Sequence, residues 1–482
     1  MTPGPAPRDL AIVGAGPAGM AAAVEADALG LSVVLIDEQP TPGGQVFRAV
    51  EAGAGDPAGD PAGDSAGDPA LAGEDRDSGA RLVAGLRAAI GASARLDYRP
   101  RTALWHLDAD AGLLSTVTDG AAGEVAARRV LLATGAQERP VPIPGWTLPG
   151  VLTAGAAQIL LKTAGAVPEG AAAIAGQGPL CWLLAVQLLR AGAGPLTLLE
   201  TSSGGALPRA LRAGGLWSGR AALRKGVSLM REARARGLRV VPGVRGLRAG
   251  GDSRLRRVAW EGGTLECGTL LLHEGVIPST HVTRALGLAH EWDAGQFCWR
   301  PRLDAWGATS HPAIAVAGDG GGIGGWEAAV AAGRLAALDA AYRLGRLDAA
   351  ARDARAAPPR AALRRALALR PFLDRLYAPS PAVLAPPDDA TVVCRCEEVT
   401  AGQVRAAARL GATGPNQVKA FLRAGMGPCQ GRLCGTTVAA LVAGARGIPV
   451  PAAGVLRPRA PYRPVTVGAL AGPLPEADDP IG

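Results

Sequence analysis

The chain has 482 residues, of which 48% are hydrophobic and 19% charged, with a net charge of +8 at pH 7. This is the composition of a globular protein. No apolar run of membrane-spanning length lacks Gly or Pro breaks, so we expect no integral membrane span and a cytoplasmic location. The arginines are scattered and aromatic residues make up only 4% of the chain, which argues against nucleic acid as a partner.

The N-terminal segment has the pattern of a nucleotide-binding strand, turn and helix. An apolar strand runs into VGAGPAG, which supplies Gly14, Gly16 and Gly19, and an alanine-rich helix follows. These glycines permit a tight turn, close approach of a pyrophosphate and close helix–strand packing, and the helix N-terminus favours phosphate. Asp37, at the end of the second strand, is placed to bind a ribose, with Glu38 as the fallback.

A repeat with a four-residue period, GDPAGDPAGDSAGDPA, runs from Gly55 to Ala70. It contains few apolar side chains and cannot bury a core of its own. The repeat therefore predicts a disordered insertion over residues 50–79.

A second strand, turn and helix pattern begins near residue 171. AGQGPLCW supplies Gly176 and Gly178, but Cys181 stands where a third small residue is usual, and Glu200 ends the next strand. An acidic residue there favours NAD or another adenine nucleotide over NADP, whereas the bulk of Cys181 favours an altered site. Three interpretations stay open: NAD, another adenine nucleotide, or no ligand.

A third glycine-rich turn, AGDGGGIGGWEAA, begins at Ala317. Together with DEQPTPGGQ and LLATGA it resembles the flavoproteins with two dinucleotide-binding domains. The resemblance implies an α/β, Rossmann-like fold in which an FAD domain is interrupted by an NAD-like domain. It also implies that Asp319 binds the ribityl chain of FAD. Besides the first motif and its acidic residues, the residues it assigns to FAD are Gly44, Gln45, Thr134, Gly135, Gly318, Asp319 and Gly324.

Four of the seven cysteines form two close pairs, Cys394 with Cys396 and Cys429 with Cys434. Two loops that each present two thiolates can hold zinc or an iron–sulfur cluster, and neighbouring glycines let backbone N–H groups approach a cluster. The pattern CRCEEVT … QVKAFLRAGMGPCQGRLCG resembles the small helical domain of the bacterioferritin-associated-ferredoxin type. This resemblance implies one [2Fe–2S] cluster on the four cysteines.

The whole chain outside residues 50–79 resembles the alpha subunits of opine oxidase, hydrogen cyanide synthase and D-hydroxyproline or proline dehydrogenase complexes. The segments that carry the resemblance are ATGAQERPVPIPGWTLPGVLTAGAAQ, HEGVIPSTHVTRALG and AGDGGGIGGWEAA, followed by the cysteine domain. It implies an FAD-containing beta subunit that carries the substrate site, and it leaves open a further small ferredoxin-like subunit. The implied function is an FAD and [2Fe–2S] electron-transfer subunit for an amino acid, imino acid, opine or related amine.

Two other functions remain as alternatives: a self-sufficient NADH-dependent flavoprotein reductase, and a flavin-binding protein with a structural zinc module. A disulfide relay is excluded, because no paired cysteines stand beside the flavin motifs. The predicted domains are an FAD domain in two parts (1–155 and 276–345), a second dinucleotide-binding domain (156–275), a helical linker (346–388), a [2Fe–2S] domain (389–447) and an extended Pro-rich tail (448–482).

Overall fold

The computed structural model describes residues 6–51, 74–202, 205–217 and 219–471. Its first unit alternates strands and helices around a mostly parallel sheet, as the buried apolar runs of its strands require. The elements are β1 (Arg8–Val13), α1 (Pro17–Ala28), β2 (Val33–Ile36), α2 (Glu74–Ala92), β3 (Leu96–Arg99), β4 (Thr102–Asp108), β5 (Leu113–Thr118), β6 (Ala121–Leu132) and β7 (Ala136–Glu138).

The structure describes ordered chain at both ends of the insertion predicted over residues 50–79. Val50 is buried in the core of the first unit, and α2 already begins at Glu74. Gly79 lies against the Phe47 ring, where a Cβ atom would come within 2.5 Å of it. Both ends of the predicted segment therefore belong to the fold, and the Gly55–Ala70 repeat lies outside the described residues.

The second unit is inserted between two parts of the first and has its own five-stranded sheet, in the order β11-β10-β9-β15-β8. Because β8 pairs in parallel with β15, this unit begins before the predicted boundary at residue 156. Its elements are β8 (Val151–Thr153), α3 (Ala154–Ala164), β9 (Ala172–Gly176), α4 (Pro179–Arg190), β10 (Leu196–Glu200), α5 (Ala206–Leu211), α6 (Arg220–Ala235), β11 (Arg239–Val241), β12 (Arg248–Gly250), β13 (Arg257–Trp260), β14 (Gly263–Glu266), β15 (Thr269–His273) and β16 (Val276–Pro278).

The chain then returns to the first unit. The elements of this part are α7 (His281–Ala285), β17 (His290–Asp293), β18 (Cys298–Pro301), β19 (Ile314–Val316) and α8 (Trp326–Arg343). Strand β19 joins the first sheet beside β6, and β16 pairs with β7 to form a two-stranded ribbon between the units. Gly333 of α8 sits where a Cβ would lie 2.1 Å from the Ala18 carbonyl oxygen, so the absence of a side chain lets α8 pack closely on α1. The predicted interruption of an FAD-type domain by a second dinucleotide-type domain is confirmed.

Helices and a small cysteine-bearing unit complete the described chain. The elements are α9 (Ala349–Leu367), α10 (Arg370–Leu376), α11 (Pro381–Leu384), β20 (Val392–Cys394), β21 (Val399–Thr400), α12 (Ala401–Arg409), α13 (Pro415–Leu422), α14 (Gly435–Arg446) and α15 (Val467–Ala471). Helices α12 and α14 enclose a core of Val and Ala side chains. From Gly454 onward the described chain runs back to the first unit, where the buried Tyr462 accepts a hydrogen bond from the Leu107 amide. Among all the helices described, none is long and apolar enough to cross a membrane.

Candidate functional site

The glycine turn after β1 is pressed against the end of β6. Gly14 has a φ of +105°, and a Cβ there would lie 2.5 Å from the Ala133 carbonyl oxygen. A Cβ on Gly19 would lie 1.8 Å from the Gly14 carbonyl oxygen. Only glycine allows such approaches, so helix α1 can begin directly above the strand with its first N–H groups free for a ligand.

The other predicted flavin segments converge on this turn. A Cβ on Gly44, whose φ is +63°, would lie 2.8 Å from the Gly16 Cα. A Cβ on Gly320 would lie 3.5 Å from both the Gly135 carbonyl oxygen and the Thr134 hydroxyl. Segments near residues 16, 44, 135 and 320 therefore form one cradle of glycine backbone, although they are far apart in sequence.

The two acidic side chains at the end of β2, Asp37 and Glu38, both make polar contacts within the chain. The carboxylate of Asp37 accepts hydrogen bonds from the backbone N–H groups of Ala15 and Gln39. Burial raises the pKa of Asp37, and these hydrogen bonds oppose that rise. Glu38 instead points outward and pairs with Arg463 of the tail. Asp37 thus braces the glycine turn at the predicted ribose position, and the fallback role of Glu38 stays a prediction.

Asp319 lies in the glycine-rich turn that precedes helix α8. Its Oδ1 accepts hydrogen bonds from the backbone N–H groups of Gly324 at 2.8 Å and Gly325 at 3.0 Å. Gly318, with a φ of +76°, lets this turn approach Ala18 on α1. The aspartate therefore fixes the glycine-rich turn, and its second carboxylate oxygen makes none of the hydrogen bonds described for this part of the chain. This arrangement fits the predicted contact with the ribityl chain.

A lysine from the second unit reaches the flavin cradle. Lys162 of α3 is only 7% exposed, and its Nζ donates to the carbonyl oxygens of Gln45 at 3.3 Å and Val46 at 2.9 Å. Sequence reasoning missed this contact, because a lysine within an apolar helix usually extends its charge to solvent. The predicted residue Gln45 is thereby held in place from the second unit.

The second dinucleotide-type site is contacted by the helical linker. Gly176 has a φ of +150° and abuts the His273 carbonyl oxygen, as the motif requires. However, the Gln177 side-chain amide donates a hydrogen bond of 3.0 Å to the Ala378 carbonyl oxygen. Burial raises the pKa of Tyr377 to about 12, with a further contribution from the nearby Glu200. Linker residues therefore contact the glycine turn and lie near the predicted ribose ligand.

A buried carboxylate lies beneath the same turn. Glu274 is 3% exposed and accepts hydrogen bonds from the Thr201 hydroxyl at 2.5 Å and the Gln177 side-chain amide at 2.8 Å. Its neighbour His273 contacts Glu138 through Nδ1 at 2.9 Å. Burial raises the pKa of Glu274 above its ordinary 4.5, against the effect of its hydrogen bonds. The network is a structural brace shared by the second unit and the ribbon.

The raised pKa of Glu274 predicts that the free energy of unfolding depends on pH. The folded chain keeps the proton on the Glu274 carboxyl to a higher pH than the unfolded chain does. The protonated carboxyl therefore contributes its full share of stability below about pH 4.5, and this share is lost as the pH rises through the folded-state pKa of Glu274. We expect the melting temperature of wild type, relative to Glu274→Gln, to fall as the pH is raised from about 4 to 8. Parallel melting curves for the two proteins over that range would contradict the assignment.

The four cysteines meet as two couples at the surface of the C-terminal unit. The thiol of Cys394 lies beside that of Cys434, and the thiol of Cys396 lies beside that of Cys429. Cys394 and Cys434 are buried, Cys429 is half-buried and Cys396 is exposed. In the ranges that the structure describes, no three His, Cys, Asp or Glu side chains surround a single metal position. Two couples of thiols match a two-iron cluster, in which each iron takes two protein ligands.

Backbone donors converge on the inner couple. The Cys434 thiol and backbone N–H groups of Gly425, Glu397 and Cys396 hydrogen-bond to the Cys394 sulfur. These contacts lower the pKa of Cys394 to about 6 although burial opposes them. The pKa of Cys434 is raised instead, by the neighbouring Cys394 sulfur and by burial, and the pKa of Cys396 is raised by burial, so of these three thiols only Cys394 is favoured as a thiolate before a cluster binds. N–H groups directed at sulfur are what a cluster site requires. The residues present therefore fit a [2Fe–2S] cluster.

Gly427 provides a direct test of this packing. A Cβ there would lie 2.3 Å from the Cys396 Cβ and 3.3 Å from its sulfur. We expect Gly427→Ala to lower the iron and acid-labile sulfide content of the purified chain, because the Cys396 loop must move away. Gly444→Ala is the control, since nothing lies within 4 Å of a Cβ at that helical position. Equal cluster content in both variants would show that Gly427 does not shape the site.

The cysteine loop is docked on the ribbon that follows the flavin motif. The Gln137 side-chain amide donates to the Arg432 carbonyl oxygen at 3.0 Å, and the Arg432 guanidinium donates to the Tyr462 carbonyl oxygen at 2.9 Å. Gln137 stands two residues after Gly135, and Arg432 stands two residues before Cys434. One short path of covalent and hydrogen bonds thus joins the two predicted cofactor sites.

The family models match this architecture. The pyridine nucleotide-disulphide oxidoreductase family matches residues 8–334, and the BFD-like [2Fe-2S] binding domain matches residues 392–443. The chain is therefore a flavin oxidoreductase with a C-terminal [2Fe–2S]-type domain, and these families imply FAD and a [2Fe–2S] cluster as cofactors.

Its relatives define the family more narrowly. The chain is 42% identical over 475 residues to the A subunit of opine oxidase from Agrobacterium tumefaciens (strain Ach5), covering 96% of this chain and 91% of that protein. It is 33% identical to the HcnB subunit of hydrogen cyanide synthase from Pseudomonas aeruginosa, covering 95% and 97%. The chain belongs to the family of these subunits. The crystal structure of L-proline dehydrogenase from P. horikoshii shares the fold, with a TM-score of 0.68, 20% identity and coverage of 97% of this chain and 80% of that one.

Proposed function

We propose that the chain is the electron-transfer subunit of a multi-subunit dehydrogenase or oxidase for an amino acid, imino acid, opine or related amine. FAD would be held by the cradle around Gly14, Gly44, Gly135 and Asp319, and the [2Fe–2S] cluster by the four cysteines. When bound, FAD takes up two electrons and the cluster carries one at a time.

The observation that carries the proposal is the docking of the cysteine loop on the flavin-side ribbon. The hydrogen bond from Gln137 to the Arg432 carbonyl joins residues that lie 295 positions apart in sequence. Two residues of the tail reinforce this contact. The Tyr462 carbonyl oxygen accepts a hydrogen bond from Arg432 of the cysteine loop, and Arg463 pairs with Glu38 of the first unit. A structural zinc module has no need for such a connection to the flavin cradle, whereas an electron relay depends on it.

The exposed thiol couple marks the face that a partner would use. Cys396 is exposed, and the apolar side chains of Phe421 and Met426, in the same unit, are 58% and 44% exposed. Exposed apolar side chains are typical of interaction surfaces. The proposed partner is an FAD-containing beta subunit that carries the substrate site, as the relatives are named subunits of an opine oxidase and a hydrogen cyanide synthase.

We infer that electrons come from this partner and not from NADH. We expect anaerobic addition of NADH to leave the flavin absorbance of the purified chain almost unchanged, because the linker contacts the second glycine turn through the hydrogen bond from Gln177 to the Ala378 carbonyl oxygen. Dithionite, which needs no nucleotide site, is the positive control and should bleach the same sample. Rapid bleaching by NADH would support the self-sufficient reductase instead.

A further inference from the structure

A small cavity lies between the ribbon of β7 and β16, helix α7 and the cysteine loop. Its volume is about 20 Å³, enough for one particle of roughly the size of water. Several units contribute to its lining, which includes Gln137, Ile277, His281, Arg284, Trp299 and Arg432. The cavity therefore sits at the junction through which the two predicted cofactor sites are connected.

Three buried nitrogen atoms on this lining have no hydrogen-bond partner among the described residues. They are Nε2 of His281, Nε of Arg284 and Nε1 of Trp299. His281 is only 9% exposed. The arginine and tryptophan nitrogens can only donate, and the histidine nitrogen donates in one of its two tautomers. A buried donor without an acceptor is costly, so three around one cavity indicate a missing acceptor.

The charge of the lining is positive and uncompensated. No Asp or Glu lines the cavity within the described chain, whereas Arg284 and Arg432 both do. Burial lowers the pKa of Arg284 to about 10, which still leaves the guanidinium charged at neutral pH. Burial, with Arg432 and Arg284 nearby, lowers the pKa of His281 to about 3, so the imidazole is neutral. The missing acceptor must therefore offset the charge of the half-buried Arg284, which water cannot do.

We propose that this cavity is a binding site for one compact anion, either a halide ion or the carboxylate group of a small molecule, held by Arg284, His281 and Trp299. The anion would neutralise Arg284 and bind next to the turn Gln430–Arg432. In sequence, this turn stands between Cys429 and Cys434, the two cysteines of the second pair. Bound there, it would stabilise the docking of the cysteine loop on the ribbon.

Bromide is a suitable probe, because it matches the cavity and is located directly by anomalous scattering. The full-length chain with its cofactors is titrated with bromide against gluconate at constant ionic strength, and the melting temperature is followed. We expect a saturable rise in the melting temperature and a bromide peak beside Arg284 in crystals. Acetate is titrated in parallel: half-saturation below that of bromide assigns the site to a carboxylate group, and the reverse order assigns it to a halide.

Two variants and a control make the test specific. Arg284→Gln should weaken bromide binding by about 10-fold or more, and Trp299→Phe, which keeps the ring but removes the N–H, by about 3- to 10-fold. Arg334→Gln, which removes an exposed arginine paired with Glu25 elsewhere, should bind bromide as wild type does. The proposal is overturned if the crystals show no bromide in the cavity, or if Trp299→Phe binds bromide as tightly as wild type. The bromide affinity of Trp299→Phe still tests the proposal if Arg284→Gln fails to fold.

Discussion

Replacing Cys429 with Ser is expected to remove the visible absorbance and the EPR signal of the [2Fe–2S] cluster while the chain keeps its FAD. The half-buried Cys429 lies beside Cys396, and the loss of one sulfur leaves the outer couple with a single ligand. A serine hydroxyl is not deprotonated at neutral pH as a cluster ligand must be. The flavin cradle lies in another unit and should be unaffected.

Cys267→Ala is the matched control for this experiment. Cys267 is also a free cysteine and is 5% exposed, but it lies in the second dinucleotide-type unit. Both variants are purified without oxygen and analysed for iron, acid-labile sulfide and FAD. A cluster that survives in Cys429→Ser, or is lost equally in Cys267→Ala, would show that the cluster is not held as proposed.

Gly19→Ala is expected to cost the chain most of its FAD. A Cβ at this position would lie 1.8 Å from the Gly14 carbonyl oxygen, which belongs to rigid backbone and cannot yield locally. Helix α1 must then move off β1, which carries both the phosphate-facing turn and part of the core. Overpacking of this kind costs about 1–3 kcal/mol and often more where backbone is the obstacle. We therefore expect both lower stability and weaker FAD retention.

The control for this substitution is Gly85→Ala, in helix α2 of the same unit. Nothing lies within 4 Å of a Cβ at Gly85, and alanine favours a helix over glycine by about 1 kcal/mol. This variant should be as stable as wild type or slightly more stable, with full FAD content. FAD content and melting temperature are compared in the two variants. Unchanged FAD retention in Gly19→Ala would remove the first glycine turn from the site.

The glycine motifs could be predicted from sequence because each depends on local backbone geometry. A strand, a turn without side chains and a helix follow one another within a few residues, so VGAGPAG already specifies the close approach seen at Gly14 and Gly19. The four cysteines could be identified for the same reason, since each sequence pair lies within one loop, but the structure couples them across the loops, Cys394 with Cys434 and Cys396 with Cys429.

The contacts that give the site its connections could not be predicted in this way. Arg463 reaches Glu38 across 425 positions, and Ala378 reaches Gln177 across 201. Neither segment carries a motif, and only the folded chain shows that the linker meets the second nucleotide turn. Arg284 lies within HEGVIPSTHVTRALG, where nothing in the pattern shows that its Nε is buried without a hydrogen-bond partner.

An anaerobic reductive titration tests the central proposal most directly. The purified chain is titrated with dithionite while its absorbance is followed, and the electrons consumed per chain are counted. If one FAD and one [2Fe–2S] cluster are present, complete reduction takes about three electrons per chain, two for the flavin and one for the cluster. An end point at about two electrons, with zinc and no iron in the same preparation, would contradict the relay and leave a flavoprotein with a structural metal module.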